Sequence, residues 1–155
     1  MPQLEQAYIK TGKVTDVALD FPLEAMHTNA CKAAKAAHCT GAHGQYWERQ
    51  ARLFAHQGAL GPNDLPPHAE ALGLDKSAFH TCLESGRYAE AIRKDLAAGQ
   101  QAGVTGTPAC FLGVTEPNDA KVTALRQRTG AQPSAAFQAA INSLLAEQNA
   151  LPAME

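Results

Sequence analysis

Gly103-Val104-Thr105-Gly106-Thr107-Pro108-Ala109-Cys110-Phe111-Leu112 is the stretch on which the fold reading turns. Two glycines and a Thr-Pro pair give way to an apolar run, so Ala109 to Val114 is expected to be a short strand that opens after a residue with no N–H to offer a ladder. Pro117, Asn118 and Asp119 carry turn chemistry, and Val122 to Arg126 is expected to return antiparallel. Pro133 and Ser134 then start a closing helix. Its Phe137, Ile141, Leu144 and Leu145 form one stripe able to cover a sheet.

Upstream, nothing from Asn29 to Gln101 reads as a strand, and glycines punctuate helical patterns. The first helix of this insert, Asn29 to Thr40, presents Ala30, Ala33, Ala34 and Ala37, so a neighbouring backbone can approach closely. The second, Gln45 to Gln57, places Tyr46, Trp47, Gln50, Leu53 and Phe54 on the helical period, with Trp47 expected as a core anchor. Asp64 and Asp75 are suited to cap two short helices, with Phe79, Cys82 and Leu83 facing inward on the later one. Ala89, Ile92 and Leu96 define a last helix that ends near Gly103. Before the insert, Val17, Leu19 and Phe21 alternate up to Pro22, which predicts a strand over Val14 to Phe21. Pro2 to Thr11 reads as a short opening helix closed by Gly12.

A chain of 155 residues, 45% hydrophobic, is long enough to bury one core and fits a single domain over residues 1–155, with the helical insert over about 28–102. Its 13 basic and 15 acidic residues are dispersed and give a net charge of −2, which argues against a nucleic-acid groove. No apolar run approaches the roughly 18 residues of a membrane span, and Met1 to Lys10 lacks the basic start and apolar stretch of a signal peptide. The expectation is a soluble chain without a membrane or nucleic-acid partner.

The segment Gly103 to Leu112 resembles the Gly-Val-x-Gly-Thr-Pro segment of DsbA-like thiol-disulfide oxidoreductases of the thioredoxin superfamily. The resemblance continues in Thr11 to Val14, Asp20 to Leu23, His27 with the alanines up to Cys39, Tyr46-Trp47, Leu53-Phe54, Phe79-x-x-Cys82-Leu83 and Gly130 to Pro133. It covers nearly the whole chain, and the segments are specific together although each alone is weak. It implies a thioredoxin-like α/β fold with a helical insert, truncated at the N-terminus, a cis Thr107-Pro108 bond, and an extended peptide or protein substrate docking at Thr107 and Pro108. It also implies a periplasmic or secreted protein engaged in thiol-disulfide exchange, with no cofactor.

The departure from that pattern is chemical. Cysteines stand at 31, 39, 82 and 110, and no two are in the Cys-x-x-Cys relation of a redox pair. In the family that pair opens a helix, where backbone N–H groups and the macrodipole lower a thiol's pKa, and a central strand precedes it. Here both are missing, so no catalytic residue is assigned. By resemblance, the missing strand would lie between Val14 to Phe21 and Ala109 to Val114, and its loss would leave sheet edges that a second copy could pair, which predicts a homo-oligomer. Cysteines often occupy the positions of Cys39 and Cys82 in such chains, which leaves a structural disulfide or two buried free thiols as the alternatives. Cys110 reads as a buried strand residue and Cys31 as the more exposed one.

His27, Cys31, His38, Cys39 and His43 are close in sequence, and His27 and Cys31 are one helical turn apart. One helix cannot gather four of them around a metal, so no metal site is assigned. His56, His68 and His80 read as surface residues. The sequence leaves three readings: a piece of an ordinary oxidoreductase, a non-catalytic module that keeps the peptide-docking surface, and, last, a metal-binding protein.

Overall fold

The computed structural model describes residues 2–41, 44, 46–115 and 122–150, which fall into two compact units. In chain order the elements are α1 (Pro2–Leu4), which runs on into a π-helical segment over Glu5–Ile9, α2 (Ala30–Gly41), α3 (Tyr46–Ala55), α4 (Leu65–Glu70), α5 (Lys76–Glu84) and α6 (Ala89–Gln101). These are followed by β1 (Ala109–Thr115), β2 (Val122–Thr129) and α7 (Ser134–Ala150). Helices combined with a small antiparallel sheet make this an α/β chain of thioredoxin-like type.

One unit joins the described residues up to Ala18 with those from Val104 onward. Its sheet has two strands, paired antiparallel from Ala109↔Thr129 to Thr115↔Val122, with an irregularity between Leu112 and Gly113. The turn residues Pro117, Asn118 and Asp119 lie outside the described residues. A two-stranded sheet is marginal by itself in water, so the helices have to supply the core. Leu4, Tyr8 and Ile141 are buried together, with Val14, Leu112, Phe137 and Leu145 packed around them. Each such side chain contributes about 1.5–3 kcal/mol relative to leaving it exposed. Tyr8 keeps its hydroxyl satisfied by donating to Asn142 Oδ1 at 3.0 Å, and Arg126 Nη2 meets Glu147 Oε1 at 2.6 Å.

The segment Val14 to Phe21 corrects the sequence reading. It is not a strand: β1 and β2 are the only partners in the sheet among the described residues. Its alternation does not bury the expected apolar side, since Val17 and Leu19 are 63% and 60% exposed while the alternate residues Val14, Asp16, Ala18 and Asp20 are half-buried. From Leu19 onward the chain is held by side chains instead of a ladder. Asp20 N donates to Asp95 Oδ2 at 3.1 Å, and the Phe21 ring lies 2.6 Å from where a Cβ on Gly99 would stand. An alternating pattern makes a strand only where a partner edge lies beside it.

The second unit, Leu19–Gly103, is helical. The small residues of α2 do what their spacing suggests: Ala36 and Ala37 are buried, Ala33 packs beside them, and α5 approaches closely enough for Cys39 and Cys82 to form a disulfide with a Cα separation of 5.9 Å. Leu65, Ala69, Phe79 and Leu83 complete that core. Asp75 caps α5 by accepting from Ala78 N at 2.7 Å. Asp64 makes no side-chain cap on α4 and accepts from Gly61 N at 3.0 Å in the preceding loop.

Helix α3 departs in part from the sequence expectation: Leu53 packs against the core and Tyr46 and Gln50 are half-buried, but the two large rings Trp47 and Phe54 are not. Trp47, read as a core anchor, is 48% exposed and Phe54 is 67% exposed, whereas Arg49 is fully buried. The guanidinium reaches what no aromatic ring there could use: Nη2 donates to the Leu65 carbonyl at 2.9 Å, and its carbon lies 5.3 Å from the Phe79 ring centre. Its apolar stem fills the space beneath. His68, read as a surface residue, is buried as well. Its Nδ1 accepts from Arg52 Nε and its Nε2 donates to the Ala59 carbonyl, both at 3.1 Å, which fixes the neutral tautomer.

Two outcomes follow for stability. The bridge closes a loop with a sequence separation of 43, so replacing both cysteines with alanine should cost about 4 kcal/mol in the chain-entropy description; urea unfolding of the oxidised protein and of the C39A/C82A variant measures it. Burial, joined by the charges of Arg49, Arg52 and His56 and opposed by the Ala59 bond, pushes His68 below the usual 6.5. The unfolded chain therefore takes up this proton first. The contribution of His68 is fully present above pH 6.5 and is lost as pH falls below it towards the lowered folded value. The urea midpoint should drop across that window in the parent protein, and the drop should be shallower in His68→Gln.

Candidate functional site

The candidate site is the entry to β1. Thr107 and Pro108 are exposed, the bond between them is cis, and Ala109 and Cys110 follow half-buried as the strand begins. The strand end is tied down on one side, where Gly130 N donates to the Pro108 carbonyl at 2.8 Å. Gly130 has φ of 77°, a conformation that glycine adopts without strain, and this lets the chain turn from β2 towards α7 at that point. Phe111, 40% exposed, and Leu125, 52% exposed, leave apolar surface on the two strands. Among the described residues β2 occupies one edge of β1 and no strand occupies the other. An unpaired edge presents N–H and C=O groups to any extended chain that reaches it.

The thiols are distributed so that none forms an exchange pair. Cys39 and Cys82 are bonded to each other, and Cys31 and Cys110 are free and half-buried. Burial first, and the Asp16 carboxylate second, hold the Cys110 thiol above its ordinary pKa, so it stays protonated and a poor nucleophile at neutral pH. Cys31 lines an open pocket of about 250 Å³ with Glu24, Thr28, Lys32 and Lys35. Two of the residues weighed as metal ligands are otherwise engaged: Cys39 is in the bridge, and His38 Nε2 donates to Asp20 Oδ2 at 2.6 Å. His43 lies outside the described residues. Among the described residues no three His, Cys, Asp or Glu side chains form a metal-sized group.

Sequence reasoning missed two clusters in the helical unit. The first surrounds His38, whose ring stacks on Tyr88 with centres 5.0 Å apart and faces Tyr46 at 5.7 Å. Burial, with Asp20 and Asp95 adding to it, pushes the Tyr46 hydroxyl up to about 12. The cluster clamps Asp20 onto α2, and no local pattern links residues so far apart in sequence. The second is the group Arg49, Arg52, His56 and His68. Its signal is present in the sequence, as Arg49, Arg52 and His56 at helical spacing, the first two on α3 and His56 just after it.

Similar proteins place the chain. It is 40% identical over 92 residues to the Na(+)/H(+) antiporter NhaA 1 of Salinispora arenicola, a match covering 59% of this chain and 14% of that protein. It is 35% identical over 111 residues to the Na(+)/H(+) antiporter NhaA 3 of Salinispora tropica, covering 72% of this chain and 17% of that protein. It is 30% identical over 94 residues to the Na(+)/H(+) antiporter NhaA 1 of Mycolicibacterium vanbaalenii, covering 59% and 15%. The chain thus spans about a sixth of the length of the curated relatives it matches. No solved structure matches it. The sequence profile described as thioredoxin matches residues 1–143, and with that span the chain belongs to the thioredoxin family.

Proposed function

We propose that this chain is a DsbA-like thioredoxin-family domain whose work is to dock an extended polypeptide along β1 beside Thr107 and Pro108, without disulfide exchange of its own. The observation that carries the reading is the exposed Thr107-Pro108 pair leading into a strand with one edge free among the described residues. A polypeptide laid there gains main-chain hydrogen bonds from the strand and apolar contact from Phe111. Such a mode tolerates varied side chains, which suits a binder of unfolded or extended segments.

The absence of exchange chemistry rests on the thiols. Exchange needs an attacking thiolate and a resolving thiol within reach, and the sequence has no Cys-x-x-Cys to provide them. Two of its four cysteines are consumed in a bridge, and Cys110 is held protonated. The likeness to Na(+)/H(+) antiporters favours a second reading, an accessory domain of such an antiporter. In that reading the docked segment belongs to the antiporter polypeptide. A second copy of this chain is a further source of a pairing strand at the same edge, giving a homo-oligomer.

The test has two arms. A reduced, unfolded peptide titrated into isotopically labelled protein should shift backbone amides over residues 105–112, and saturating titration without such shifts would remove the docking site. In an insulin-reduction assay the protein should add no turnover above the dithiothreitol background. Turnover that disappears in Cys31→Ser or Cys110→Ser would show that this chain performs exchange itself.

A further inference from the structure

The helical unit buries a positive charge that no charged group among the described residues balances. Arg49 is fully buried, and of its guanidinium donors only Nη2 is used, towards the Leu65 carbonyl at 2.9 Å, while Nε and Nη1 have no hydrogen-bond partner. Its neighbours have the same sign. Arg52 stands on α3 with His56 just after its end, and His68 comes from α4 with its ring 5.1 Å from that of His56. Among the described residues no carboxylate forms an ion pair with Arg49 or Arg52. The guanidinium is lowered to about 10, by burial first and Arg52 second, and so keeps its charge at neutral pH.

A buried ion left unpaired costs several kcal/mol, and a buried N–H without an acceptor adds its own desolvation penalty. The four basic groups also form a graded path. His56 is exposed, Arg52 is half-buried, and His68 and Arg49 are buried behind them. His56 Nδ1 is committed to the Arg52 carbonyl at 2.9 Å and Arg52 Nε to His68, while Nε and Nη1 of Arg49 have no hydrogen-bond partner among the described residues.

We propose that the α3–α4 corner is an oxyanion site that takes an inorganic anion of the phosphate type between Arg49 and Arg52, entering past His56. An oxyanion supplies several acceptor oxygens to planar guanidinium donors, so it answers the missing charge and the missing acceptors together. The site belongs to the helical unit Leu19–Gly103 and does not rest on the peptide-docking reading.

The experiment uses the whole chain in its oxidised form. Thermal unfolding is followed in phosphate, in sulfate and in chloride at matched ionic strength, with Arg49→Met as the comparison. Replacing a buried unpaired ion by an apolar side chain of similar length leaves a folded core, so that variant reports binding rather than collapse. Phosphate should raise the midpoint of the parent protein above its value in chloride, with the increment growing as the logarithm of phosphate concentration above saturation, and Arg49→Met should lose that increment. Titration followed at the Arg49 Nε resonance should show a saturable shift. Equal midpoints in phosphate and chloride, or the same increment in Arg49→Met, would overturn the proposal; the second result would mark an adventitious ion only.

Discussion

The bond between Cys39 and Cys82 is the constraint around which the helical unit is arranged. It joins residues 43 apart and holds α2 against α5 with a Cα separation of 5.9 Å, so α3 and α4 are confined to the loop that it closes. The approach is possible because α2 offers Ala33, Ala36 and Ala37 on the contacting side. Larger residues there would hold the helices too far apart for a bridge. With α2 and α5 fixed, Leu65, Ala69, Phe79 and Leu83 are drawn into one core, and α3 has to present a face to that core whatever its own composition favours.

The other unit meets a different constraint. Two strands do not form a stable sheet in water, so the sheet depends on the cluster of Leu4, Tyr8 and Ile141 to hold β1 at Leu112. The arrangement fastens one face and one edge and leaves the other edge of β1 without a strand among the described residues. The edge that suits peptide docking is thus the same feature that makes the sheet small.

What was legible in the sequence was local. The Gly-Thr-Pro segment, the two strands after it, the closing helix and the alanine side of α2 all follow from turn residues, period and size, and the structure contains each of them. Asp75 caps its helix as its position suggests. The failures share a cause, because each depends on a partner remote in sequence. Val14 to Phe21 alternates like a strand and finds no neighbouring edge, while Asp20 is taken up by Asp95 and His38. His68 looks like a surface residue until Arg52 and Ala59 are brought to its two ring nitrogens.

Helix α3 carries this lesson furthest. Trp47 and Phe54 lie about 20° apart around its axis at 100° per residue, and Arg49 stands on the opposite side with Arg52 about 60° from it. Hydrophobicity alone turns the aromatic side inward, since burying each large apolar side chain is worth about 1.5–3 kcal/mol. The observed orientation gives up that gain and accepts a buried guanidinium as well. The Leu65 carbonyl and the Phe79 ring return part of the difference, as a charge-assisted hydrogen bond of about 1.5–3 kcal/mol and a cation–π contact of about 2 kcal/mol when desolvated. Neither supplies a counter-charge, and neither reaches Nε or Nη1. The electrostatics of Arg49 and the orientation of α3 are therefore one problem.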